Sequence, residues 1–189
     1  MAVRAWPQGT QVGDLIGASF GVVFIVINVS PMPPAWRVGA IAVAAALALV
    51  ITYAFSATQR AVRTGAVRPD RTRFNRLFLV IVVLEAIALF GGLAIVRQLE
   101  PAAVLGWIAL VVGVHFLALA QWWIRDNAPI LLIGVGMTIL GLVGLWVGLA
   151  SQQADAVMLV SGVGSGLVLL GVTFSTAVRT LLSLRARQA

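Results

Sequence analysis

The sequence predicts an all-α polytopic membrane protein. It reads as a single domain over residues 1–189, a bundle of six transmembrane helices with both termini cytoplasmic. Three observations carry this prediction. Hydrophobic residues make up 61% of the chain and charged residues 10%, with mean hydropathy +1.05. Soluble domains are closer to half apolar and a quarter charged, and a domain this small has too little interior to hide the excess. Six apolar runs approach the roughly 20 residues that a helix needs to cross a bilayer. The arginines gather on one side of those runs.

The expected spans are 12–29, 36–57, 77–97, 101–123, 128–150 and 155–178. The first carries Gly13, Gly17 and Gly21 at i, i+4 and i+8, a small-residue stripe suited to close helix contact. Its apolar run is too long for a signal-peptide core and is followed by no clear small-x-small cleavage site, so it is read as retained. The second opens after "SPMPPAW", where Pro31, Pro33 and Pro34 mark a boundary and Trp36 an interface. The third and fourth are separated by the short "RQLEP" and form a hairpin. Trp122 and Trp123 close the fourth at the opposite interface. The fifth and sixth contain the pairs Gly144/Gly148 and Gly162/Gly166, which predict a tightly packed five–six hairpin or an oligomer contact.

Charge orients the bundle. With cytoplasmic termini, eleven arginines lie inside: Arg4, Arg60, Arg63, Arg68, Arg71, Arg73, Arg76, Arg125, Arg179, Arg185 and Arg187. Arg37 and Arg97 alone lie outside. The bias fits the positive-inside rule and a multi-pass protein of a bacterial inner (plasma) membrane. The net charge of +7 does not point to nucleic acid, because these arginines bracket apolar runs. The loop 58–76 holds Arg60, Arg63, Arg68, Arg71, Arg73 and Arg76, with Asp70. It is expected to meet anionic lipid headgroups, at about 1 kcal/mol per arginine near the surface, or to dock a soluble partner.

Composition also excludes chemistry. The thirteen basic residues are all arginine, so no Schiff-base lysine exists. Cysteine is absent, which removes thiol catalysis, disulfide exchange and thiolate metal sites. His115 is the single histidine, too few for a multi-histidine metal or haem site within one chain. Neither a metal nor a cofactor is expected. The Gly-x-Gly-x-Gly pattern of the sixth span lacks the preceding strand and the later acid of a dinucleotide loop. "VGSG", 163–166, invites comparison with the Gly-x-Ser-Gly of rhomboid proteases, but Val163 stands at the first glycine and the histidine precedes Ser165. No complete catalytic set is present, so an enzyme is the less favoured reading.

One stretch breaks the apolar pattern. "VIVVLEAIALF", Val80 to Phe90, holds Glu85 with no basic residue nearby in sequence. In the hairpin model, Glu85 lies eight residues from the inner end of the third span, and His115 eight from the inner end of the fourth. At 1.5 Å per residue both sit about 12 Å deep, so antiparallel neighbours can bring them together. Ala88 and Gly92, at i+3 and i+7 from Glu85, and Ala118, at i+3 from His115, favour close approach. The pair is either a latch between helices or a proton- or substrate-binding site, as intramembrane ionisable groups commonly are. Asn28 and Asp14 are the further candidates, with Asp14 expected to cap its helix or stay hydrated near the inner interface.

"GVHFLALA", Gly113 to Ala120, resembles a stretch in a group of small bacterial six-helix integral membrane proteins without an assigned function. Their pattern runs Gly-apolar-His-Phe-Leu-Pro-Leu-Ala, and Ala118 stands where it has proline. The resemblance covers eight residues and implies no activity. It adds weight to His115. The sequence thus supports a small transporter or permeation protein with a proton-responsive Glu–His site. The alternative is a non-catalytic scaffold or subunit of a larger complex. A homo-oligomer or a membrane partner protein fits either.

Overall fold

The structure is a computed structural model that describes residues 8–67, 75–124 and 127–186, with side chains from Val12 onward. It holds six helices and, among the described residues, no strand: α1 (Gln8–Asn28), α2 (Pro34–Arg63), α3 (Arg76–Leu99), α4 (Pro101–Trp123), α5 (Ala128–Ser151) and α6 (Ala154–Arg185). Local chemistry sets their ends. Proline opens α2, α4 and α5 within the first two positions, where its missing N–H costs nothing. The Asn75 side chain accepts from the Phe78 N–H at 2.9 Å, and Asn127 from the Ile130 N–H at 3.2 Å. Gly65, at φ +74°, ends the turn that follows α2.

Five helices, α2 to α6, are long and apolar enough to cross a membrane. α1 covers the expected first span, 12–29, and its described apolar part, Val12–Asn28, is shorter than the other five. α2 and α6 instead overrun their expected ends, reaching Arg63 and Arg185. Hydropathy falls at those points, but neither Pro nor Gly interrupts the backbone ladder there, so the helix continues. Outward side chains such as Leu49, Leu84, Phe90, Leu132 and Trp146 are exposed and apolar, compatible with an integral membrane protein.

Two packed groups make the bundle. α4 and α5 are the most intimate pair. Gly106 lies against the backbone of Gly144 and Leu145, Gly113 against Met137 and Thr138, and Gly141 against Leu110. Bare glycines bring the backbones together where lipid gives no hydrophobic drive. The second group joins α1, α2 and α6 around Ala18, Ile25, Ala44, Ile51, Leu170 and Ala177.

The last two spans do pack as a hairpin, but their glycine pairs are divided between several partners rather than facing each other. Gly162 and Gly166 face α1, against Asn28 and Ile25. Gly148 faces Ala103 of α4. Gly144 meets both Gly106 of α4 and Ser161 of α6. Ser161 sits in a wide π-helical turn, Met158–Val163, and its hydroxyl donates to the Leu140 carbonyl of α5 at 2.8 Å. Such a turn widens the helix by one residue and re-aims its side chains, which here lets α6 serve α1 and α5 at once.

α3 stands apart. Ile81 is its single buried residue, and its substantial contacts are with α4. α1 and α3 make no substantial contact, so a cleft separates them.

Candidate functional site

The hairpin α3–α4 positions the two ionisable side chains. Glu100 joins the helices, and its Oε1 accepts from the Ala102 N–H at 3.0 Å, which stabilises the first turn of α4. Trp107 then leans across to α3. Its Nε1 donates to the Ala88 carbonyl at 3.2 Å, and its ring lies over Gly92, whose bare Cα leaves the room. The small residues at i+3 and i+7 from Glu85 therefore accept an indole rather than a second backbone. At the far end Phe78 and Trp123 meet at 4.5 Å between ring centroids. Between these two aromatic contacts, Glu85 meets His115.

Glu85 Oε2 lies 3.0 Å from His115 Nδ1. The side chains are 22% and 11% exposed, so the imidazole is the more enclosed. The contact is at ion-pair distance, yet Nδ1 has no aligned hydrogen-bond acceptor among the described residues. The oxygen is therefore off the direction of the ring N–H, which leaves room for a small rotation to gain or release the bond. The Phe116 ring stands edge-on to the imidazole at 5.6 Å and helps fix its plane.

Three recesses converge on this pair. One of about 430 Å³ lies between α1, α3, α4 and α6, and both Glu85 and His115 line it. A second, about 400 Å³, lies on the other flank of α3, lined by the same two residues with Trp107 and Trp122. A third, about 200 Å³, runs from His115 toward the N-terminal end of α1 and is lined by Asp14, Asn127, Thr173 and Thr176. His115 is common to all three. The walls are otherwise largely apolar, as ligand pockets with a few convergent polar groups are.

Asp14 therefore shares a recess with His115. It is half-buried and lies well inside α1, which begins at Gln8, so it is not the expected helix cap. It also lines a small gap with Thr58 and Thr180, whose hydroxyls bond back to Ala54 and Thr176 of their own helices. Asn28 is placed elsewhere. It is buried at the opposite end of α1, donates to the Phe24 carbonyl at 2.7 Å, packs on Gly162, and lines none of the three recesses. Arg60 and Arg63 are exposed in the last turn of α2, and Arg76 is exposed at the start of α3. Arg68, Arg71 and Arg73 lie outside the described residues, as do Arg4, Arg125 and Arg187.

Ser165 is fully buried, and its hydroxyl has no hydrogen-bond partner among the described residues. It is thus not joined to His115 as a nucleophile–base dyad. No group of three or more His, Cys, Asp or Glu side chains could hold a metal among the described residues. Sequence reasoning did not identify Trp107 as a partner of α3. The signal was present in the small residues of α3, but their partner could be named only once the hairpin register was known. No protein-family model, no curated protein and no solved structure matches this chain.

Proposed function

We propose that the chain is a small transporter or permeation protein of a bacterial inner membrane, and that Glu85 and His115 form its proton-responsive site. In this reading α1 completes a six-span bundle and both termini face the cytoplasm, following the arginine bias. The observation that carries the reading is the 3.0 Å approach of the Glu85 carboxylate to the one imidazole, between two recesses that both residues line. A latch alone needs the contact but not the space around it. With one proton the pair is neutral overall, as carboxylic acid plus imidazole or as carboxylate plus imidazolium. Without it the pair carries one negative charge. The recesses give a ligand access to whichever charge state is present.

The test is proton uptake by purified protein in detergent across about pH 5–9, the range that brackets histidine titration. Wild type is compared with Glu85→Gln and His115→Ala. The expected result is an uptake step in wild type that is lost or displaced in both variants. Superimposable curves would remove the site.

A non-catalytic scaffold or subunit is the second reading, favoured by the bare apolar outer face of α3 and its reliance on one neighbour. Mass measurement after gentle solubilisation separates the two. A stoichiometric foreign subunit seated on α3 supports the scaffold, and a homo-oligomer or monomer supports transport.

A further inference from the structure

We propose that the α1–α3 cleft binds a lipophilic organic cation, and that the cation takes the place of the proton held by the Glu85–His115 pair. The inference rests on the proton-responsive reading of that pair and names its ligand. Four features of the cleft select this class.

The first is charge. Among the described residues, Glu85 and His115 are the only ionisable side chains lining the 430 Å³ recess. The other charged groups on the surrounding elements lie away from it: Arg76 and Arg97 at the two ends of α3, Glu100 beyond its last turn, and Asp14 in the neighbouring recess beyond His115. α5 carries no charged residue, and no charged residue of α6 lines the cleft. A deprotonated pair thus presents one negative charge, with no counter-ion among the described residues that line the recess. One monovalent cation neutralises it.

The second is lining. Apart from the pair, the walls are Phe20, Phe24, Val82, Leu89 and like residues. A hydrated inorganic ion would lose its water there and find a single carboxylate in return, with several polar ligands missing. A cation with an apolar body loses little hydration and buries that body against the aromatic rings, which also attract positive charge.

The third is size. At about 430 Å³ the recess falls within the range of small-molecule sites and holds a body of a few fused or clustered rings. The fourth is access. α1 and α3 make no substantial contact, and Ile16, Phe20 and Phe90 on the rim are exposed, so the mouth opens on the outward, apolar surface. A ligand dissolved in the hydrocarbon reaches Glu85 from the side.

The stoichiometry follows. One proton leaves the pair to water and one cation enters, so the net charge of the site is zero in both occupied states. Linkage requires that each ligand weaken the other by the same factor.

The probe is tetraphenylphosphonium, with wild-type protein in weakly buffered detergent. Cation binding is followed by equilibrium dialysis and proton release by a pH indicator in the same samples. The expected result is close to one proton released per cation bound, with affinity falling about tenfold per pH unit once the pair holds its proton. Glu85→Gln is expected to lose saturable binding and release. Phe20→Ala, which leaves the ionisable pair intact, is expected to weaken the cation several-fold without altering proton uptake in its absence. Cation binding without proton release by wild type overturns the exchange, as does binding by Glu85→Gln equal to wild type. Proton uptake by the pair that the cation never displaces overturns the inference and leaves the proton site standing. No proton uptake at all removes the site and the exchange together.

Discussion

The indole nitrogen of Trp107 donates to the carbonyl of Ala88 at 3.2 Å, one turn beyond Glu85 on the same helix. This bond and the Glu85–His115 contact are two stitches along a single seam. With the Phe78–Trp123 contact they make up most of what holds α3, because its outer face is bare and Ile81 alone is buried. Anything that shifts Trp107 therefore shifts the carboxylate that the neighbouring recesses reach.

Gly92→Ala is the direct probe of that seam. A Cβ at position 92 would overlap the Trp107 ring. The indole must then leave Gly92, and its bond to Ala88 with it. The expected cost is about 1–3 kcal/mol of bundle stability. Unfolding in mixed micelles at increasing denaturing-detergent fraction measures it. Trp107→Phe should lose about 0.6–1.7 kcal/mol in the same assay, the range for a single hydrogen bond between membrane helices. Stability unchanged in both variants would show that α3 is held by other means.

Glu85 and His115 should be energetically coupled. Glu85→Gln, His115→Gln and the double variant close a double-mutant cycle. The expected interaction energy is about 0.6–2 kcal/mol, as for polar contacts between membrane helices. A coupling near zero would leave the 3.0 Å approach without energetic consequence.

The α4–α5 interface should be the least tolerant part of the molecule. Gly113→Ala and Gly141→Ala each place a methyl against backbone atoms of the facing helix, which cannot rotate away as a side chain can. Each is expected to cost about 3 kcal/mol, the upper part of the usual overpacking range. Gly13→Ala is the control, because nothing lies within 4 Å of the added carbon. It should be neutral within about 0.5 kcal/mol. Equal effects at positions 13 and 113 would contradict the packing.

Asn28 should be separable from the proton site. Its amide is committed to the Phe24 carbonyl and to packing on Gly162. Asn28→Ala is expected to lower stability by about 1 kcal/mol, through the lost bond and the small gap left behind. Proton uptake should match wild type. A changed uptake curve would return Asn28 to the pathway.

The exposed arginines Arg60, Arg63 and Arg76 should tie the bundle to anionic lipid. Replacing all three with glutamine is expected to remove about 1 kcal/mol of anionic-lipid stabilisation per residue. The measurement is thermal stability in micelles with and without phosphatidylglycerol. A lipid-induced shift identical to wild type would assign those charges to topology alone.

Hydropathy and boundary residues by themselves determined the all-helical, apolar class of the protein and most helix ends. Lipid imposes that legibility: a spanning segment must satisfy its own backbone, so helix and apolar length are nearly the same statement. The meeting of Glu85 with His115 was also readable, because a short connection, 98–100, limits the register of a hairpin and a constant rise converts position into depth. What faced what beyond that hairpin was decided by the tertiary structure. Gly144, Gly148, Gly162 and Gly166 look alike in sequence, yet they meet Ser161 and Gly106, Ala103, Asn28, and Ile25 respectively. A small-residue stripe specifies close approach without naming the partner, and the partner depends on how every helix rotates about its axis. The cleft between α1 and α3 is of the same kind. It exists because two helices that could have packed instead lean on different neighbours, and no local pattern records a contact that is not made.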